Sequence, residues 1–119
     1  MTTASTGRLG EALAEAYLRS RGFHIRERNV RYGRFEIDIV VFDPVEKMIV
    51  FVEVKTRTAA DTRYPVRTMV DGRKRSAMKQ AIFRWVERHR YEGSARTDIV
   101  CVAGGQIVDH VVNVGADFY

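Results

Sequence analysis

Cysteine is nearly absent from this chain: Cys101 is the single one among 119 residues. One cysteine excludes an intramolecular disulfide and any metal site made of several cysteines. Cys101 lies in the apolar run 98–103, with no helix start or basic cluster beside it in the sequence, so we predict a buried strand residue rather than a catalytic thiol. The three histidines lie far apart without the i, i+4 spacing of a zinc-binding helix, which argues against a zinc site.

Long apolar runs are absent as well. No stretch is long enough to cross a bilayer, and residues 1–11 lack the apolar segment of a secretory signal, so we expect a cytoplasmic protein without a membrane partner. Internal repeats, low-complexity tracts and a glycine-rich phosphate loop are also absent. We therefore expect residues 1–119 to form a single domain with one core.

Positive charge, by contrast, is in excess. Twenty lysines and arginines against 15 acids give a net charge of +5 and a pI of about 9.7. Sixteen of these cations are arginines, whose planar guanidinium group suits paired contacts to phosphate. This composition permits a nucleic-acid partner without requiring one.

Apolar residues at helical spacing predict two helices. The first is Arg8–Ser20, with Ser5 or Thr6 as its N-cap and Gly22 as its stop signal. The second runs from Asp71 or Gly72 to about Arg90. The predicted apolar faces are Leu9, Ala12, Leu13, Ala16 and Tyr17 on the first helix, and Met78, Ala81, Ile82, Trp85 and Val86 on the second.

Five strands are predicted, at 23–30, 35–42, 48–55, 97–103 and 106–114. The first carries charges at its polar positions and is predicted to lie at a sheet edge, while Gly104-Gly105 predicts a hairpin turn. Segment 57–70 lacks periodicity and is predicted to be a mobile connection that carries Arg57, Arg63 and Arg67. Since the crossover into 97–103 should be parallel, we expect an α/β protein with a mixed central β-sheet flanked by helices.

The second and third strands form a predicted hairpin that gathers acids. If Pro44–Lys47 is the loop, Asp43 pairs with Met48, which places Asp38 opposite Glu53 and Glu36 opposite Lys55. Alternation then puts three acids and one lysine on one face. The opposite face receives Ile37, Ile39, Val52 and Val54.

Acids placed in this way repel one another. Two carboxylates ~4 Å apart near a protein surface repel by about 4 kcal/mol, whereas a favourable cross-strand pair returns roughly 0.2–1 kcal/mol. The repulsion can be relieved by hydration, by a raised carboxyl pKa or by a divalent cation with oxygen ligands. The spacing alone leaves a solvated acidic patch and a cation site equally open.

Asp38, followed by Glu53-x-Lys55 at the end of the next strand, behind a helix that carries Glu11, resembles the PD-(D/E)xK nuclease superfamily. More closely, the chain resembles the YraN family, small bacterial proteins related to archaeal-type Holliday junction resolvases. The resemblance implies a restriction-endonuclease-like fold in the order α-β-β-β-α-β-β. It covers nearly the whole chain, through Gly7-x-x-Gly10-Glu11, Tyr17-Leu18, Arg28-Asn29, Glu36-Ile37-Asp38, Phe51-Val52-Glu53-Val54-Lys55, Lys74 and Asp98-Ile99-Val100.

The resemblance also implies roles for the acids. Asp38 and Glu53 match the metal-binding acids, Lys55 the catalytic lysine, and Glu11 the acid on the first helix, with Mg²⁺ or Mn²⁺ as cofactor. On a helical wheel alone, Glu11 reads as a solvated acid near arginines. Glu36 is either an acid that supports the metal ligands or a charge partner for Lys55.

The resemblance further implies contacts to nucleic acid. Arg57 lies at a position that is commonly basic in the family, whereas Phe35 replaces a glycine found in many relatives. The first half of the second helix carries Arg73, Lys74, Arg75 and Lys79, which either contact a phosphate backbone or form a solvated face.

The leading hypothesis is therefore a metal-dependent endonuclease that acts on branched or structured DNA, with a homodimer implied by the resemblance to resolvases. One alternative is a nucleic-acid-binding module that no longer cleaves. Another is a protein-interaction scaffold that binds neither nucleic acid nor a divalent cation.

Overall fold

The computed structural model describes residues 3–57 and 72–114, and the side chains of 7–57 and 77–114. Within these residues the order is the predicted one, with an α/β architecture of two helices and five strands. The elements are α1 (Thr3–Ser20), β1 (His24–Tyr32), β2 (Phe35–Asp43), β3 (Met48–Arg57), α2 (Gly72–His89), β4 (Ala95–Ala103) and β5 (Gln106–Val111).

The five strands form one mixed sheet in the order β1-β2-β3-β4-β5. Neighbouring strands are antiparallel except β3 and β4, which are parallel and are joined by the crossover that contains α2. A parallel pair needs such a crossover, as predicted. In the described part of the chain β1 lies at a sheet edge, which confirms its prediction from charged alternate positions.

The β2–β3 hairpin has the predicted register from Asp43 and Met48 to Ile39 and Val52. The predicted pairs of Asp38 with Glu53 and of Glu36 with Lys55 do not form, because the ladder ends at Ile39. The Asp43 carboxylate fixes the turn by accepting hydrogen bonds from the backbone N–H groups of Val45 and Glu46, at 2.9 and 3.2 Å. Pairing runs as far as Ile39 and Val52, while β2 stays paired with β1 as far as Phe35. Before Ile39, the edge of β2 that faces β3 therefore has no ladder pairing, which leaves space there for side chains.

Two apolar clusters fill the two faces of the sheet. The cluster under α1 contains Ala14 and Leu18 from the helix, and the cluster under α2 contains Met78, Ala81 and Trp85. The prediction that Ile37 and Ile39 share a face is wrong, because Ile37 belongs to the α2 cluster and Ile39 to the α1 cluster. The prediction assumed an uninterrupted pleat, but pairing with β3 stops at Ile39.

The buried face of α1 also differs from the prediction. Gly10, Ala14 and Leu18 are buried, whereas Leu9 is 53% exposed. Of the other residues in the predicted stripe, Ala12 and Ala16 are exposed, and Leu13 and Tyr17 are half-buried. The helix packs its Gly10 face closely against Thr56 of the sheet. A side chain at this position would meet Thr56, because a Cβ on Gly10 would lie 2.3 Å from Thr56 Oγ1.

The ends of α1 are partly as predicted. The helix begins at Thr3, so Ser5 and Thr6 lie within it rather than at its N-cap. It ends at Ser20, where Gly22 has a φ of 93° and the Phe23 N–H donates to the Leu18 carbonyl at 3.0 Å. This geometry confirms Gly22 as the stop signal.

The second helix and the last two strands follow the sequence pattern closely. Met78, Ala81 and Trp85 are buried, and Ile82 and Val86 pack beside them. Gly104 and Gly105 both have positive φ, as the predicted two-residue turn requires. The strand β5 ends at Val111, three residues before the predicted end, because the chain bends at Asn113, where φ is 57°.

The connection after β3 lies almost wholly outside the described residues, including Arg63 and Arg67. Arg57 is the last residue of β3. In the described part of the chain, no helix combines the length and apolar character needed to cross a membrane.

Candidate functional site: an acid cluster between two helices

The acids predicted to converge do meet. A cavity of about 180 Å³ is lined by Glu36 and Asp38 from β2, Glu53 from β3, Ala77 and Met78 from α2, and by Arg34. It lies where β2 has left its pairing with β3, so side chains fill the space that a ladder would occupy. Strand alternation alone does not account for this placement, because the pleat is interrupted between Ile37 and Ile39.

Glu11 joins the cluster from the other side. One carboxylate oxygen each of Glu11, Glu36 and Asp38 lie within 4.8 Å of one another. The helical wheel predicted a solvated Glu11, and this is wrong because α1 buries the Gly10 face rather than the Leu9 face. That rotation brings Glu11, which is half-buried, against the end of β2. The residue assigned through the resemblance thus lies with the other acids.

Asp38 is the centre of the cluster. One of its oxygens accepts a hydrogen bond from the Val54 N–H at 2.8 Å, which fixes the carboxylate against β3. Burial and the Glu53 carboxylate raise the pKa of Asp38 to about 7, and the Val54 hydrogen bond opposes this change. Burial, with Glu36 and Glu53, also raises the pKa of Glu11.

Protonation relieves part of the repulsion among these acids. The raised pKa values of Asp38 and Glu11 mean that their neutral forms are favoured over a wider pH range than for isolated carboxyl groups. A divalent cation held by the same oxygens would compete with those protons.

Lys55 lies beside Glu53. Its Nζ is 2.9 Å from Glu53 Oε1, and the two side chains are only 6% and 8% exposed. Glu36 lies 3.9 Å from Arg31, at a half-exposed position. Glu36 thus lies among the acids, and the ion pair of Lys55 is with Glu53. A buried lysine paired in this way is a hydrogen-bond donor aimed among carboxylates.

The donor set fits a hard cation. Mg²⁺ and Mn²⁺ prefer carboxylate oxygens and retain several waters, so one or two carboxylates suffice to hold them. Asp38 and Glu53 are the predicted ligands, and both line the cavity. Glu11 and Glu36 bring further oxygens within reach of Asp38.

The residues predicted to contact nucleic acid occupy different environments. Lys79 is exposed on α2. Arg73, Lys74 and Arg75 lie in the first turns of α2, and their side chains are outside the described set. Arg57 is only 8% exposed and lies against Cys101.

Cys101 is fully buried in β4, as predicted. Basic side chains do adjoin it, because β4 pairs with β3 so that Lys55 and Cys101 are register partners and Arg57 lies close by. Burial nevertheless raises the pKa of the Cys101 thiol. A thiol in this state is a poor nucleophile.

A buried polar network, which the sequence did not predict, lies under α1. Asp98 is completely buried and accepts hydrogen bonds from His110 Nε2 at 2.9 Å, Arg96 Nε at 3.0 Å and the Asn113 N–H at 3.0 Å. His110 Nδ1 lies 2.7 Å from the Tyr17 hydroxyl. Since Nε2 carries the proton towards Asp98, a neutral His110 accepts from Tyr17. The signal in the sequence was an acid inside an apolar strand.

This network joins distant parts of the chain. Arg96 also contacts Asp43 at 3.0 Å, so the chain of contacts runs from the hairpin turn through β4 and β5 to α1. Burial acts to raise the pKa of Asp98, but hydrogen bonds from His110 and Arg96 outweigh it and hold this pKa below its usual range. The network thus fixes α1, the helix that carries Glu11, to the sheet.

Comparisons with known proteins agree on one family. The sequence pattern of the uncharacterised protein family UPF0102 matches residues 10–102. A UPF0102 protein of Pelobacter propionicus is 36% identical over 115 residues, which cover 92% of this chain and 81% of the relative. Another, from Corynebacterium efficiens, is 38% identical over 91% of this chain and 89% of the relative. The chain therefore belongs to the UPF0102 family, the YraN family that its motifs resemble.

Proposed function

We propose that this protein is a metal-dependent endonuclease that hydrolyses phosphodiester bonds in branched or structured DNA. One observation carries the proposal: Glu36, Asp38 and Glu53 line one small cavity, a Glu11 oxygen lies within 4.8 Å of oxygens of Glu36 and Asp38, and Lys55 is paired with Glu53. A cluster in which Asp38 has its pKa raised to about 7 is costly to maintain for stability alone. A bound divalent cation would offset the repulsion among these carboxylates.

Hydrolysis of a phosphodiester forms a bond from water to phosphorus and breaks the bond to one sugar oxygen, which leaves with a proton. Mg²⁺ or Mn²⁺ held by Asp38 and Glu53 would neutralise charge on the phosphate and favour ionisation of the attacking water. The chain positions these oxygens in advance, because the Val54 N–H holds Asp38 and the Lys55 ammonium holds Glu53.

Lys55 has a distinct role in this proposal. It lies two residues after Glu53 on the same strand, so both side chains project from one face. As an ammonium group it orients the attacking water by hydrogen bonding and stabilises the negative charge that develops on the phosphate oxygens. Its burial strengthens both effects, because less water competes for the same contacts.

The proposed substrate follows from the charge of the chain and from the resemblance to junction resolvases. The net charge of +5 and the excess of arginine favour a polyanion. Branched DNA, and action as a homodimer with two sites, follow from the resemblance to junction resolvases. The assay below therefore compares several DNA structures.

Cleavage of labelled four-way junction, flap, single-stranded and duplex DNA with Mg²⁺ or Mn²⁺ tests the proposal. Asp38→Asn and Lys55→Ala should each lower the cleavage rate at least about 100-fold, because each removes charge that acts in the transition state. Asp109→Asn, the same chemical change at an exposed position of β5, should leave the rate unchanged. Wild-type protein that binds DNA but cuts none of these substrates with either metal would instead identify a non-catalytic binding module.

A further inference from the structure

A second cavity is lined mainly by arginines. It has a volume of about 440 Å³ and is lined by Tyr32 at the end of β1 and by Arg84, Glu87, Arg88 and Arg90 from the end of α2 and just beyond it. The three arginines are exposed, and in the described part of the chain none of them lies in a salt bridge. Glu87 is the single acid on this wall, so positive charge prevails there.

Phe35 connects the two cavities. The guanidinium carbon of Arg34 lies 5.6 Å from the centroid of the Phe35 ring, and that of Arg84 lies 5.5 Å from it. Arg34 lines the acid cavity, whereas Arg84 lines the second one. The guanidinium groups of Arg34 and Arg84 therefore lie against the same aromatic ring, one from each cavity.

This arrangement differs from an ordinary solvated face. Exposed arginines usually sample many rotamers, but a guanidinium held over an aromatic ring loses part of that freedom before any ligand binds. The surface is a shallow depression, and Arg34, which contacts the same ring as Arg84, lines the cavity that holds Glu36, Asp38 and Glu53. Positive charge there offsets the repulsion that the acids would exert on an approaching phosphate.

We propose that the groove formed by Tyr32, Arg34, Arg84, Arg88 and Arg90 binds the sugar-phosphate backbone of the nucleic-acid strand that enters the acid cluster. The inference rests on the proposed function, because it names the strand's path to that same site. The arginines contact phosphate oxygens, Tyr32 offers a ring edge and a hydroxyl to the sugar, and Phe35 fixes the entrance. These residues are separate from the cations in the first half of α2, at 73–75 and 79.

Binding is best measured without cleavage, in an Asp38→Asn background. Fluorescence anisotropy with labelled four-way junction and single-stranded DNA over a range of salt concentrations gives both affinity and its salt dependence. In this background Arg84→Gln/Arg88→Gln should weaken binding at least about 10-fold at low salt and reduce the slope of log K against log salt by about 2, since each phosphate contact contributes about 0.9. The matched control is Arg19→Gln/Arg21→Gln at the end of α1, which packs on the opposite face of the sheet.

Glu87→Gln should change the affinity for DNA in the opposite direction. Removing the single acid of the groove should tighten binding several-fold, an effect that loss of folding cannot imitate. Phe35→Leu keeps an apolar side chain but removes the ring, and it should weaken binding by freeing both guanidinium groups. Unchanged thermal melting in each variant shows that the comparison is between folded proteins.

The outcomes separate this inference from the proposed function. Weaker binding in the groove variants but not in the control, together with tighter binding in Glu87→Gln, supports the groove even if the wild type never cleaves. Cleavage by the wild type with unchanged binding in the groove variants overturns the groove and leaves the nuclease intact. Equal losses in groove and control variants also overturn it, since that result shows only a general effect of charge. Absence of any DNA binding overturns both.

Discussion

Asp38 has a carboxyl group whose ionised form is unfavourable in the folded protein. Its carboxyl group is held by the Val54 N–H, surrounded by other acids and largely shielded from water. Such a group is unfavourable when ionised, and functional sites commonly accept this cost. The consequence is a dependence of stability on pH to which Asp38 and the acids around it contribute together.

The first prediction concerns that dependence. The folded-state pKa of Asp38, about 7, lies above its ordinary value of 3.8, so ionisation favours the unfolded state. Its effect on stability is absent below pH 3.8, and stability falls as the pH rises through about 7. Asp38→Asn keeps the oxygen that accepts from Val54 but cannot ionise. At pH 8 with a metal chelator it should be more stable than the wild type by on the order of 2 kcal/mol.

Urea denaturation at pH 5 and pH 8 measures this difference. The gain from Asp38→Asn should be larger at pH 8 than at pH 5. A gain that is equal at both pH values, or no gain at all, would mean that Asp38 ionises without cost in the folded protein. Added Mn²⁺ should stabilise the wild type and not the variant.

At the scale of elements, the placement of α1 decides whether Glu11 reaches the site. Two features hold this helix: the close approach of Gly10 to Thr56 on β3, and the contact of Tyr17 with His110 in the network around Asp98. Each can be removed by a single substitution.

Gly10→Ala tests the close approach. An added Cβ would lie 2.3 Å from Thr56 Oγ1, so helix or side chain must shift. We expect a loss of about 1–3 kcal/mol of unfolding free energy from overpacking, and slower cleavage if Glu11 moves. In a Thr56→Ala background the clash is gone, and the same substitution should stabilise by up to about 1 kcal/mol, because alanine favours helix over glycine. Thermal melts of the four proteins give this cycle; the same effect of Gly10→Ala in both backgrounds would exclude a steric cause.

Asp98→Asn tests the buried network. It leaves Arg96 and His110 facing a neutral side chain in a region that excludes water, and breaking such a set typically costs about 3–5 kcal/mol. Because the folded-state pKa of Asp98 is lowered, its contribution is present above the ordinary aspartate range and is lost as the pH falls. The cost in urea denaturation should therefore shrink at pH 3 relative to pH 7. A small, pH-independent cost would show that Asp98 is not ionised.

The hairpin, the buried face of α1 and the Asp98 network differ in how far the sequence predicts them. The hairpin and its register as far as Ile39 were predictable, because Asp43 and the turn after it specify the loop length. The change of face between Ile37 and Ile39 was not predictable, because it occurs where pairing with β3 ends. The face of α1 was not, because alanines lie on every side of this helix and the contact with Thr56 selects the Gly10 face. The Asp98 network was missed because Tyr17, which contacts His110, is 93 residues away in the chain.

At the scale of the whole molecule, charges of opposite sign lie next to each other. A compact group of acids faces the open edge of β2, and Arg34 of the same cavity contacts the Phe35 ring together with Arg84 of the arginine-lined cavity. This pattern suits a polyanion that must approach a cation held by carboxylates. The two parts would have different roles. The groove would guide a nucleic-acid strand, and the acids would hold the ion that acts on that strand.

Metal-dependent cleavage of a labelled four-way junction, by wild type and Asp38→Asn side by side, tests the central claim most directly. The account predicts discrete cleavage products with the wild type in Mg²⁺ or Mn²⁺, none after chelation, and a loss of at least about 100-fold in the variant, which should still bind the junction. Equal cleavage by the variant would contradict the assignment of the acid cluster as the active site. Binding of the junction by the wild type with no cleavage in either metal would contradict the nuclease itself.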